Sequence, residues 1–485
     1  MNYFADNDYL TIIDAKQDEL FHLSDRIWDN PETAYSEHMA AELQIAFLKK
    51  QGFSVKQNLA NIPTAFSAEF GKGGPVIGIT GEYDALENLS QKADADRPDP
   101  IEKFGNGHGC GHNLLGVGSI AAAMAVKCFL ENSDCPGTVV YFGCPAEEGG
   151  AGKAFMAREG VFQSCDVILS WHPGVFNNIF TGRFLANSMI HYKYNGISAH
   201  AAVNPDHGRS ALDAVELMNV AANFLREHIH KDARLHYAIT NAGGASPNVV
   251  PSCAEVVYLV RAPEMEQVHD ICERINKIAH GAAMMTETSV EISLIKSCAN
   301  VIPNSVLERQ LYRSMTDVPL PQYSEEELAY AKKFTETVSA DVTRKQALEA
   351  VAGKYGEHER EKILSYEKRA MNDFLLPYNE AAENEIIYGS TDVGDVSWQC
   401  PTAQISAAAW APETPGHSWQ VVAQGKSSLA HKSICYAGKV LSLTAVRMLR
   451  EPQIITEAQK EHQKRLNGRK YIPIPEDVKP GRAKS

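Results

Sequence analysis

The chain has 485 residues, 44% hydrophobic and 22% charged, the balance of a folded protein large enough for two or three domains. Forty-six Lys and Arg against sixty Asp and Glu leave a formal charge of −14. With no basic run interleaved with aromatics, that excludes a general nucleic-acid binder, whose affinity rests on a cationic face. The ten cysteines show no CxxC spacing, and the N-terminal MNYFADNDYL has neither a basic nor an apolar leader region. Apolar runs also fall short of the ~20 residues of a membrane span, so the expectation is a cytoplasmic protein with no membrane contact.

In chain order, residues 8–52 read as helix with a break at Asn30-Pro31. In its second part Ala40, Leu43, Phe47 and Leu48 share one face. Three nearly continuous apolar runs follow, PVIGIT (75–80), TVVYFGC (138–144) and DVILSW (166–171). Such runs fit strands buried on both faces, hence a parallel sheet. Helices are expected between them at Leu114–Leu130 and Lys153–Glu159. The alternation predicts an α/β domain built on an open, mostly parallel sheet.

From about residue 187 the texture changes. SMIHYKYNG, LHYAITNAG, AEVVYLVRA and SVEISLIKS read as strands, with helices at Ser210–His230 and Glu264–Met285. The resulting β-α-β-β-α-β order predicts an inserted ferredoxin-like α+β domain over 187–298. It divides a first domain made of 1–186 and 299–485. Residues 305–385 read as extra peripheral helices, TAQISAAAW (402–410) as one more core strand, and Leu429–Leu449 as an amphipathic helix.

The polar residues follow the strands. Glu82 and Asp84 come directly after the first run, Glu147 and Glu148 after the second, and His172 ends the third. His417 follows the 402–410 run, and NGHGCGHN (106–113) leads into a helix beside them. In open α/β sheets ligands collect beyond the carboxyl ends of the strands. A lone histidine at such a place is ordinarily a surface residue, and a Glu-Glu pair is ordinarily solvated. Together, Cys110, His112, Glu148, His172 and His417 make a mixed S, N and O donor set suited to borderline divalent cations. Of two adjacent carboxylates, one can bind metal while the other acts as general base and acid. A nucleophilic Cys110 beside His108 or His112 is the alternative, but it leaves the acids without a role.

At these residues the chain resembles the M20 family of metallopeptidases and amidohydrolases. The resemblance rests on WDNPETAYSEH (28–38), EYDAL (82–86), GHGCGHN (107–113), PAEEGGAGK (145–153), WHP (171–173), GISAHAA (196–202), SPNVVP (246–251) and GHS (416–418). It implies that Cys110, His112, Glu148, His172 and His417 hold two divalent ions, Mn²⁺ or Zn²⁺, and that Glu147 is the catalytic base. It further implies that His200 of the inserted lid and dimerisation domain reaches a partner's active site to stabilise the oxyanion. Asn248 and Arg261 would hold a substrate carboxylate, and Asp84 would orient a ligand histidine. His108 has only a supporting role, and Glu82 has none assigned. The implied activity is cleavage of the amide of an N-acyl amino acid, foremost an N-aroyl-glutamate such as p-aminobenzoyl-glutamate. A dipeptidase or aminoacylase of the same family is the alternative. The implied partner is a second copy or a paralogous chain.

Overall fold

The computed structural model describes residues 8–338 and 343–481. They divide into two compact units. The first comprises the chain up to Gly182, Ile302–Glu385 and Val396–Tyr471; the second comprises Arg183–Val301, Ile386–Asp395 and the segment from Ile472.

The strands in chain order are β1 (Ser54–Gln57), β2 (Phe66–Lys72), β3 (Val76–Glu82), β4 (Gly137–Cys144), β5 (Val167–Gly174) and β6 (Asn178–Ile179). Then come β7 (Arg183–Phe184), β8 (Ala186–Asn195), β9 (Arg234–Asn241), β10 (Cys253–Ala262), β11 (Ser289–Cys298) and β12 (Ile386–Ile387). The last is β13 (Thr402–Ala408).

The first unit holds a seven-stranded sheet of order β1-β2-β4-β3-β5-β13-β6. Its centre is parallel, β3 lying between β4 and β5, and β13 beside β5. Antiparallel strands close both edges. Every residue of β4 and β13 is buried, as continuous apolar runs require when helices cover both faces. The helix His112–Glu131 is 20 residues long and apolar enough to cross a membrane, yet it is largely buried in the core of this unit. It packs along Ser428–Arg450, and the Trp171 indole donates to Leu115 O at 2.9 Å.

Two readings shift in detail. In the helix His38–Lys50 the buried stripe is Ala40, Ala41, Gln44, Ile45 and Leu48, while Leu43 and Phe47 are half-buried. Gln44 belongs inside because it receives the Tyr141 hydroxyl, a partnership between distant segments that hydrophobic periodicity does not register. Within 305–385 the helices do more than decorate: Leu307, Leu311 and Met315 enter the main core, and Leu348 and Ile363 pack with Phe374 and Leu376.

The second unit is built on a four-stranded antiparallel sheet, β11-β8-β10-β9, with the helices Ala211–Leu225 and Met265–Thr286 packed against it. β10 alternates buried and half-buried residues, as a one-sided sheet requires. A short parallel pair, β7 with β12, adds Ile386–Ile387 to this unit. The architecture is therefore α/β with a mostly parallel central sheet and an inserted α+β unit of ferredoxin-like strand order.

Candidate metal centre

Parallel strands deliver their following residues to one sheet edge. Glu82 at the end of β3 pairs in register with Cys144 at the end of β4, so segments 82–84 and 145–148 leave the sheet side by side. His172 lies near the end of β5, in register with Ser406 of β13, whose following loop carries His417. The loop with Cys110 reaches the same place because its backbone turns at Gly111, whose φ is +72°. A Cβ there would stand 2.8 Å from the Trp410 ring and 2.9 Å from Pro173, so position 111 demands glycine both by conformation and by space. His112 is then the first residue of the following helix.

Eight of the residues singled out from sequence meet at this edge, seven of them as potential metal ligands and Asp84 beside them. Cys110, His112 and His172 form one group of potential metal ligands, and Cys110, Glu148 and His417 form a second. Cys110 belongs to both. A third group joins Glu82, His112 and Glu147. The Cys110 Sγ lies 3.4 Å from His172 Nε2, and His417 Nε2 lies 3.3 Å from Glu148 Oε1.

The surrounding hydrogen bonds decide which ring nitrogen each histidine presents. His172 Nδ1 donates to Pro173 O at 2.7 Å, leaving Nε2 as the electron-pair donor toward Cys110. His112 Nδ1 lies 2.8 Å from Asp84 Oδ1, and its Nε2 is buried with no hydrogen bond among the described residues. Glu82 Oε2 comes within 3.2 Å of that nitrogen, inside ion-pair distance but without hydrogen-bond geometry. A buried ring nitrogen in that condition is costly unless something binds it, and among thiol, carboxylate and imidazole donors a divalent cation fits.

Electrostatics agree. Burial opposes charge on Cys110, but His172 and His112 beside it bring the thiol down to about 6. Burial likewise opposes a charge on His112 and His172, yet Cys110, joined at His112 by Asp84, holds both above the usual imidazole range. Cys110 and Glu148 beside it raise His417 to about 10, and Glu148 falls to about 2 despite burial because His417 pairs with it. His108 behaves otherwise. Burial drives it down to about 3, and its Nε2 lies 3.2 Å from Ile27 O, a role in fastening the turn.

Three supporting groups have no role assigned from the sequence, although Glu37 and Lys153 lie within the segments 28–38 and 145–153. Lys153 is completely buried, with Nζ 2.6 Å from Glu82 Oε1, so Glu82 stands between a lysine and the His112 ring. The one local signal for it is a lysine opening an apolar helix shortly after the acid pair. Glu37 is buried and accepts from the backbone of Tyr35 at 2.9 Å and of Ala146 at 3.0 Å. Ala146 has a φ of +62°, so Glu37 helps hold the left-handed turn that presents Glu147 and Glu148. Arg344, on the helix Arg344–Ala352, pairs with Glu413 in the loop leading to His417.

The remaining candidates lie in the second unit. His200 and Asn248 sit on adjoining loops, tied by Ala201 N donating to Asn248 O at 3.0 Å. The His200 Nδ1 accepts from the Ala202 and Val203 backbone amides at 3.2 Å, so in the neutral ring Nε2 carries the proton and is a donor. Arg261, half-buried on β10, donates to Ser390 Oγ at 2.7 Å. Burial lowers its pKa, and among the described residues it has no acidic partner within ion-pair distance.

Comparison with known proteins agrees with this architecture. Residues 187–287 match the peptidase dimerisation domain of the M20 family. Over 469 residues the chain is 46% identical to one of the subunits of the p-aminobenzoyl-glutamate hydrolase of Escherichia coli (strain K12), covering 96% of this chain and 97% of that one. It is also 34% identical to a mouse Xaa-Arg dipeptidase, over 61% of this chain and 67% of the other. Among solved structures, a dinuclear metal-binding M20 peptidase from Bacillus subtilis shares the fold, with a TM-score of 0.56 at 16% identity, over 90% of this chain and 99% of that one. The chain therefore belongs to the M20 family, hydrolases that act on amide and peptide bonds.

Proposed function

We propose that the cluster holds two divalent cations and hydrolyses the amide bond of an N-acyl amino acid, foremost p-aminobenzoyl-glutamate. The observation that carries this reading is Cys110, shared between two donor groups, one with His112 and His172 and the other with Glu148 and His417. Bound there, the ions would polarise the scissile carbonyl and make a water acidic enough to react near neutral pH. The thiol suits Zn²⁺ by softness, and the imidazole and carboxylate donors suit Zn²⁺ or Mn²⁺.

Glu147 is the base in this reading. It is grouped with Glu82 and His112, on the turn held by Glu37, and would take the water proton and pass it to the leaving nitrogen. His200, whose Nε2–H is a donor on an exposed loop, would stabilise the developing oxyanion in the active site of a partner chain. Asn248 and Arg261 would hold the substrate carboxylate, the guanidinium by its two-pronged geometry. The partner would pack on this unit, which exposes the apolar side chains Val220 and Phe224 of the helix Ala211–Leu225 and Ile239 of β9. The E. coli relative is one subunit of its hydrolase, which favours a paralogous chain there, with a second copy as the other occupant.

The test is hydrolysis by purified, metal-depleted protein reloaded with Mn²⁺ or Zn²⁺. The substrates are p-aminobenzoyl-glutamate, other N-acyl-glutamates, N-acyl amino acids and dipeptides. Preference for the aroyl-glutamate is expected. No cleavage of any amide with either ion would overturn the reading for the chain by itself.

A further inference from the structure

The helices between Ile302 and Glu385 lie outside the motifs that carry the chemistry, yet one of them reaches the loop that carries His417. Arg344 Nη1 donates to Glu413 Oε1 at 2.9 Å, with side chains only 13% and 2% exposed. Glu413 has a φ of +59° and lies four residues before His417, itself at +53°, so this loop adopts backbone conformations that need support. The second prong of Arg344, Nη2, donates to Asn372 Oδ1 at 2.8 Å. The Asn372 amide in turn donates to Val175 O at 2.5 Å, three residues beyond His172. Asn372 is completely buried.

One guanidinium thus ties together the two segments that carry His172 and His417, the histidines on either side of Cys110. The pair is a poor device for stability alone. Arg344 Nε and Glu413 Oε2 are both buried and make no hydrogen bond among the described residues, so the arrangement bears part of its desolvation cost uncompensated. We infer that Arg344, Glu413 and Asn372 form a positioning clamp that sets the spacing of His172 and His417, and with it the affinity for the second metal ion. The inference rests on the two-metal reading proposed above. It gives the helices of 302–385 a function in the site.

The test uses the full chain, metal-depleted and titrated with Zn²⁺ and Mn²⁺ by calorimetry, with the Co²⁺ absorption spectrum as a readout of ligand geometry. Arg344→Met should keep the fold and bind one ion as before, while the other weakens by about 10- to 100-fold and its Co²⁺ bands change. Arg344→Lys, which keeps the charge but loses the fork, should fall between. The paired variant Arg344→Met with Glu413→Leu leaves no orphaned charge and should show the same loss of affinity with near-normal thermal stability. Lys345→Met, next door on an exposed face, should change nothing. On the unaltered protein, metal loading should slow amide exchange in Arg344–Ala352 as well as in 411–418, because coupling is reciprocal. Two ions bound with unchanged affinity and spectrum in the folded paired variant would overturn the clamp, as would exchange in Arg344–Ala352 that ignores metal. A wild-type chain that binds neither ion would instead overturn the metal reading itself.

Discussion

Asp84 serves two candidate ligands with one carboxylate: Oδ1 lies 2.8 Å from His112 Nδ1, and Oδ2 accepts the Glu148 backbone amide at 2.9 Å. The residue fixes the tautomer of the histidine and the start of the acid turn together. Held this way, His112 and Glu148 each fall into a donor group that contains Cys110.

Asp84→Asn keeps the shape but replaces a full acceptor with an amide that must choose an orientation. Metal affinity should fall by about 10- to 100-fold, read by calorimetry. Unchanged affinity would remove Asp84 from its orienting role.

Glu147→Gln should still bind metal and still fold, while kcat drops by about 10²- to 10⁴-fold. Near-normal turnover would deny it the role of base. His200→Ala should cripple hydrolysis by itself. Mixing it with the Glu147→Gln chain should restore part of the activity, because one of the two sites in a mixed dimer would have both residues. No recovery would count against a histidine supplied across the interface.

Metal binding should release protons. His417 is held near 10, so at neutral pH it carries a proton that a metal must displace, and Cys110 shifts His112 and His172 in the same direction. Below about pH 6 the Cys110 thiol adds another. Affinity should therefore fall with falling pH, by about tenfold per pH unit for each proton displaced. Calorimetric titration in buffers of different ionisation enthalpy measures the count; a count of zero would contradict the assigned ligands.

Glu37 predicts a pH dependence of stability. Burial, with Asp84 nearby, raises its carboxyl from 4.5 to about 8. The folded state therefore holds a proton that the unfolded chain has already lost. This contribution is fully present below about pH 4.5 and is lost as pH rises through 8, on the order of a few kcal/mol in the metal-depleted protein. Glu37→Gln should flatten that decline, measured as urea unfolding at pH 5, 6.5 and 8. Parallel pH curves for both chains would exclude an elevated Glu37.

Gly111→Ala introduces a Cβ against Trp410 and Pro173 at a φ of +72°. A loss of about 1–3 kcal/mol in thermal stability is expected, together with weaker metal binding, since Cys110 and His112 flank the position. A chain with unaltered melting and loading would show that the turn is more adaptable than its contacts suggest.

Much of this protein is determined locally. Continuous apolar runs specify the parallel strands, because a strand covered on both faces has no polar side to alternate. The acids and histidines at strand ends, with the loop of Cys110 and His112 beside them, point to one sheet edge, and Cys110, His112, Glu147, Glu148, His172 and His417 do come together there. What only tertiary structure decided is which groups hold those residues in place. Lys153 and Glu82 meet across 71 positions of chain, Arg344 and Glu413 across 69, and Glu37 reaches Ala146 across 109. The reason is physical. Secondary structure follows from near-neighbour sterics and hydrophobic periodicity, whereas a buried charge or hydrogen bond is specified only by the partner that folding brings to it.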